Sequence, residues 1–155
     1  YQVPKAIQAA NKLIHRDNIF AMVMAIGTQT NNAVLVQQIE EGVPNIFPIT
    51  GARSMVDPPH RLKFHARGIY YDEIRAAARY FVEQKEVKNV CAIYQDTEYG
   101  QETLEAAIDQ VEAMGMELVA TSAHKPTESE FTAAILRLRE ANCELVLMEI
   151  GRAHV

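Results

Sequence analysis

The sequence predicts an α/β protein built on parallel, doubly wound sheets. Three observations carry that expectation. Short apolar runs of strand length recur along the chain: NIFAMVMAI, VPNIFPIT, NVCAIY, MELVATSA and ELVLME. Segments with helical periodicity lie between them, so strands and helices alternate through the second half. Two of those helical segments stop on glycine, at Gly42 and Gly115, a common C-terminal signal.

Taken in order, Val3, Ala6, Ile7, Ala10, Leu13 and Ile14 repeat at helical spacing and predict an amphipathic helix over residues 3–15. The continuous apolar run NIFAMVMAI suits a strand covered on both faces. Ala33, Val36 and Ile39 mark a helix ending at Gly42, and VPNIFPIT is the next strand. Pro58-Pro59 forbids regular structure in the loop GARSMVDPPH. RLKFHA alternates as a short strand. Ile74, Ala77, Ala78, Phe81 and Val82 predict a helix, NVCAIY a buried strand, and Leu104, Ala107, Ile108 and Val111 another helix. MELVATSA follows as a strand. Thr127 and Glu130 have the spacing of a capping box, opening a helix with Phe131, Ala134, Ile135 and Leu138 on one face. ELVLME closes the series.

A chain of 155 residues suffices for one ordinary domain or two small lobes, and 48% apolar with 23% charged residues excludes disorder. A net charge of -5 without a Lys/Arg cluster argues against nucleic acid or anionic membrane as partner. No apolar run approaches the roughly 18–20 residues that span a bilayer. Cys91 and Cys143 fall in apolar strand-like runs without CxxC or Cys/His spacing, so buried thiols are expected over a disulfide or metal site. Both ends look cut: there is no initiator Met, and IGRAHV matches an in-frame translation of a common sequencing adapter. The expectation is a native chain ending near Glu149, with residues 150–155 a non-native tail.

In open parallel sheets, ligands bind beyond the carboxyl ends of the strands. Four such ends can be named: Gly27 to Asn31, Thr50 to Arg53, Gln95 to Tyr99, and Ser122 to Lys125. At the first, a helix starting near Thr30 exposes free N–H groups and the positive end of its dipole. Gly27 permits close approach, and the Thr28 and Thr30 hydroxyls either cap the helix or touch an anion. Phosphate is one candidate, but GxxxxGK(S/T) and GxGxxG are absent. A small carboxylate fits better beside ITGA, where Thr50 and Gly51 leave a second strand end. Tyr99 stands at a helix start, as a ligand cover or a packing residue. There is no GxSxG or HExxH, the histidines are scattered, and Asp72 and Glu73 suit a helix N-terminus. No catalytic residue, cofactor or metal ligand is expected.

The ordered segments AANKLIHRDNIFAMVMAIGTQTNNAV, GVPNIFPITGA, YYDEIRAAARYFVE, NVCAIYQDTEYGQETLEAAIDQVEAMGMELVA and SEFTAAILRLREANCELVLM carry a resemblance. The chain is similar to the periplasmic substrate-binding proteins of ABC transporters for branched-chain amino acids, the Leu/Ile/Val-binding type with the type I periplasmic fold. The likeness spans residues 4–149. It implies two α/β lobes closing on a ligand, truncated here at both ends. Residues 1–66 would be the later part of the first lobe and 67–149 the first part of the second. By the same likeness, the loops GTQTN and ITGA hold an amino acid's carboxylate and ammonium. That implies Thr28 or, one register on, Gln29, then Ile49 through its backbone, Thr50 and Gly51. Tyr70 or Asp72 would help with the ammonium, and Tyr99 would come from the opposing lobe. The chain departs from the family in having Thr where Ser is commoner in the first loop, and MVMA where IVG is frequent. The family's later aromatic and acidic ligand groups would fall beyond Glu149.

The resemblance further implies a monomeric, non-enzymatic protein without cofactor, periplasmic or lipid-anchored outside a Gram-positive cell. It would deliver a small amino acid or related carboxylate to an ABC transporter membrane permease. Members also take amides, urea-like compounds and aromatic acids. A ligand-sensing domain of a receptor or regulator with the same fold is the alternative, and a flavodoxin-like nucleotide or flavin binder a further one.

Overall fold

The computed structural model describes residues 2–148. The expected tail at 150–155 therefore lies outside the described residues. The chain divides into two compact units, Tyr1–Ile69 and Tyr70–Val155, and each contains a three-stranded parallel sheet.

The first unit opens with α1 (Val3–Asn11), which has Pro4 in its first turn, where a missing N–H leaves no bond unmade. The helix runs on into a π-helical turn at Lys12–Arg16. Strand β1 (Met22–Val23), α2 (Thr28–Glu40), β2 (Asn45–Ile46) and β3 (Lys63–Phe64) follow, with sheet order β1-β2-β3. Ala10 and Ile14 pack against Val34 and Val43, with Met22 beneath them.

NIFAMVMAI does not form the expected strand with both faces covered. Met24 and Phe47 adopt left-handed φ values of 56° and 50°, which side chains tolerate poorly, and regular pairing stops after two residues in each strand. Pairing resumes as a single parallel bridge between Ile26 and Ile49. The registered row Val23, Ile46, Phe64 lies on the face opposite Met22 and Asn45. With α1 and α2 packed on the Met22 side, Val23 and Phe64 stay 58% and 46% exposed.

The second unit contains α3 (Tyr70–Lys85), β4 (Val90–Gln95), α4 (Glu98–Ala113), β5 (Ala120–His124), α5 (Thr132–Glu140) and β6 (Leu145–Met148). Its sheet order β5-β4-β6 puts β4 in the centre, and here the doubly wound expectation holds. Val90 and Ala92 face Ala78 of α3 and Ala107 and Val111 of α4. Cys91 and Ile93 alternate to the other face, against Leu138 of α5. A strand buried on both sides reads as an unbroken apolar run for this reason.

Three local expectations need correction. Strand β5 begins at Ala120 rather than Met116, because Met116 and Leu118 pack into the core that α3 and α4 share. No capping box forms at Thr127 and Glu130. Residues 125–128 close a turn instead, with the Glu128 N–H donating to the Lys125 carbonyl at 3.0 Å. The helix then starts at Thr132, whose N–H donates to the Glu130 carboxylate at 2.9 Å. Finally, Cys91 and Cys143 are not free thiols but a disulfide, with Cα atoms 5.9 Å apart. The parallel register that sets Cys91 opposite Val146 brings the turn before β6 alongside β4, where Cys143 meets Cys91.

Glu144 ties the same region together. Its carboxylate accepts the Lys88 and Asn89 N–H groups at 2.6 and 3.1 Å. Those bonds, Lys88 first, hold its pKa below the ordinary value of 4.5. A folded pKa below the unfolded one means stabilisation present above that ordinary value and lost as pH falls through the depressed one. Melting temperature followed on acidification is therefore expected to fall less in Glu144→Gln than in the native chain. Equal slopes would refute this role.

Candidate ligand-binding site

Helix α2 starts at Thr28, two residues ahead of the expected start near Thr30. Its N-cap is Gly27, with φ 97°, which offers no side chain to the first-turn N–H groups. The Thr30 hydroxyl does not cap them either, since it donates to the Ile26 carbonyl at 2.6 Å. Plain side-chain capping by Thr30, one of the two sequence readings, is thus not what this loop does.

The parallel bridge lays the two first-unit loops side by side. The Ile49 N–H donates to the Ala25 carbonyl at 2.8 Å, and the Gly27 N–H to the Ile49 carbonyl at 3.3 Å. The Ile49 backbone is consequently engaged in the bridge itself. One residue on, the Thr28 and Thr50 hydroxyls meet at 2.7 Å. Thr50 Oγ1 also accepts the Ala52 N–H at 3.2 Å. Two hydroxyls sharing one bond leave one hydroxyl hydrogen for a further acceptor. Thr28 is 6% exposed and Thr50 0%, so the pair is held in place by its surroundings. Gly51 is buried and Gln29 half-buried beside them.

Beneath the loops lies a buried amide network that sequence reasoning missed. Asn45 Nδ2 donates to Asn31 Oδ1 at 2.9 Å and to Gln38 Oε1 at 2.8 Å. Asn31 and Gln38 donate in turn to the thioethers of Met55 and Met22, at 3.0 and 3.1 Å. This locks the first and last turns of α2 to β2, and the first turn also to the 3-10 turn Arg53–Met55. Lys63 Nζ clasps the following loop through the carbonyls of Ser54 and Pro58 at 2.8 and 2.7 Å. Burial pulls the Lys63 pKa down, and Asp57 partly offsets the effect. The available signal was amphipathic: Asn31 and Gln38 stand two turns apart on the helix face that buries Val34 and Leu35.

In the second unit, the Tyr70 and Tyr99 rings pack edge to face, with centroids 5.0 Å apart and planes at 70°. The two tyrosines singled out from sequence are thus neighbours, whereas Asp72 is exposed in the first turn of α3. Gly100 is buried against the Gln95 backbone at the end of β4 and fixes the start of α4, and with it Tyr99. Tyr71 anchors α3 to α4 by donating to Asp109, and that bond raises the Tyr71 pKa. Among the described residues, no cluster of three His, Cys, Asp or Glu side chains has metal-site geometry. Among the described residues, too, no helix is long and apolar enough to cross a membrane.

A family model described as periplasmic binding protein matches residues 1–154. The Leu/Ile/Val/Thr-binding protein of Salmonella typhimurium is 22% identical over 142 residues, covering 92% of this chain and 39% of the relative. This chain therefore spans about two fifths of that relative's length. A solute-binding protein of R. palustris solved in complex with benzoate superposes with a TM-score of 0.88 at 18% identity, covering 97% of this chain and 42% of that one. A leucine-binding protein from Thermotoga maritima gives a TM-score of 0.86 at 14% identity, over 95% of this chain and 42% of that one. Paired parallel α/β units, strand-end loops with unspent donors and a match over nearly the whole length lead to one statement: the chain belongs to the periplasmic binding protein family.

Proposed function

We propose that this chain is part of the substrate-binding component of an ABC transporter and captures a small carboxylate, an amino acid in the first instance. The observation that carries this reading is the α2 N-terminus: uncapped by Gly27, beside a Thr28–Thr50 hydroxyl pair with one hydrogen still to give. Neutral donors and a helix dipole suit a carboxylate, which accepts several bonds at once. Leucine and benzoate, the ligands named for two fold relatives, have that group in common.

In this reading Thr28, Gln29, Thr50 and Gly51 belong to the carboxylate side, and the backbone of Ile49 orders the loop. Tyr70, Asp72 and Tyr99 are the contribution of the Tyr70–Val155 unit. A charge-assisted hydrogen bond contributes about 1.5–3 kcal/mol, and micromolar affinity requires about 8 kcal/mol. Two or three bonds from one loop pair fall short, so further groups must contribute. The protein works without catalysis, as a monomer delivering ligand to a membrane permease from the periplasm or from a lipid anchor. The Cys91–Cys143 bridge supports an oxidising compartment of that kind.

Calorimetry on the full-length gene product, with L-leucine and benzoate titrated separately, tests the proposal. Binding of either is expected, and Thr28→Val should weaken it about 10- to 100-fold. Leucine alone would mark an amino-acid carrier, and benzoate alone an aromatic-acid carrier. A folded protein that binds neither would overturn the carboxylate reading.

A further inference from the structure

His65 lies just past β3, half-buried and outside the loops that the ligand reading uses. Its Nε2 sits 2.9 Å from the Thr50 carbonyl oxygen. A carbonyl only accepts, so Nε2 carries the hydrogen and the imidazole is the donor. Thr50 itself is 0% exposed, and a buried carbonyl without a partner is costly. The bond also has a directional consequence. In a trans peptide the C=O and the following N–H point in opposite directions within one plane. Turning the Thr50 carbonyl toward His65 therefore turns the Gly51 N–H the other way. The Thr50 side chain is fixed at the same time by the Thr28 hydroxyl and the Ala52 N–H.

We propose that His65 is a positioning residue for the ligand loop: by holding the Thr50 carbonyl, it sets the direction of the Gly51 N–H and the pose of the Thr28–Thr50 hydroxyl pair. This rests on the carboxylate-binding reading above, which places Thr28, Thr50 and Gly51 at the ligand. His65 makes no ligand contact. Its effect passes through one peptide plane, and any side chain that donates an N–H to the same oxygen can replace it. Glutamine meets that requirement and alanine does not.

The test compares native, His65→Ala and His65→Gln forms of the full-length gene product by three measurements. These are calorimetric affinity for L-leucine and for benzoate, melting temperature, and hydrogen exchange of the peptide covering the Thr50–Gly51 link. His65→Ala is expected to bind at least 10-fold more weakly than the native protein and to exchange faster at that link, with a melting temperature lowered by several degrees because the buried carbonyl loses its partner. His65→Gln is expected to recover affinity to within about threefold of native, and native-like exchange. An Ala variant that binds and exchanges like the native protein, or a Gln variant as impaired as Ala, overturns the role. If the native protein binds neither probe, the carboxylate reading fails by itself. Exchange in the ligand-free variants then still decides whether His65 orders the loop.

Discussion

Replacing Gly100 with alanine is expected to destabilise the Tyr70–Val155 unit by about 3 kcal/mol or more, the upper range for overpacking a tight site. An added Cβ at this buried position would fall inside the backbone of Gln95, which cannot step aside as a flexible side chain would. Gln95 ends the central strand, and the Asp96 N–H after it donates to the His124 carbonyl of β5 at 2.8 Å. Relief therefore requires moving the start of α4 away from the sheet, taking Tyr99 and its contact with Tyr70 with it. Urea denaturation of Gly100→Ala is the measurement. A midpoint within a few tenths molar of native would mean that the helix start relaxes at little cost, and the account would fail.

Loss of the Cys91–Cys143 bridge is the second large effect. The two cysteines are 52 residues apart in sequence. Closing a loop of that length restricts the unfolded chain enough to stabilise the fold by about 4 kcal/mol on chain-entropy grounds. Cys143→Ser is expected to shift the urea midpoint accordingly, and reductant should reproduce the shift in the native chain. Because Cys91 is buried, reduction should be slow while the unit is folded and fast once urea opens it. Coincident curves with and without reductant would show that the bridge contributes nothing to stability. The expectation of buried thiols misjudged the pair for a simple reason. Both cysteines do sit in apolar surroundings, but only the register between β4 and β6 brings one alongside the other.

The same contrast runs through the two units. In the second, the signal of the central strand agreed with its tertiary setting: NVCAIY is apolar without interruption because its alternate residues face helices on opposite sides. In the first, NIFAMVMAI carried the same signal but pairs for only two residues before Met24 turns left-handed. Periodicity registers the polarity of side chains, and it does not register which faces other elements cover. The capping box at Thr127 and Glu130 misled for a related reason, as Glu130 serves Thr132 from the N-terminal side instead.

By itself the sequence determined the α/β class, the order of strands and helices, and the strand-end loops, among them those of the proposed ligand site. Each of these is local, written in apolar spacing, glycine stops and small polar residues at strand ends. The family likeness added named residues to those loops. Only the tertiary structure decided what the residues do to one another. It paired the Thr28 and Thr50 hydroxyls, buried the Asn31–Asn45–Gln38 amides beneath them, turned His65 toward the Thr50 carbonyl and joined Cys91 to Cys143. Such contacts depend on strand register and on the angle at which a helix meets its sheet. Those are set by packing among segments distant in the chain, and no short stretch of sequence contains them.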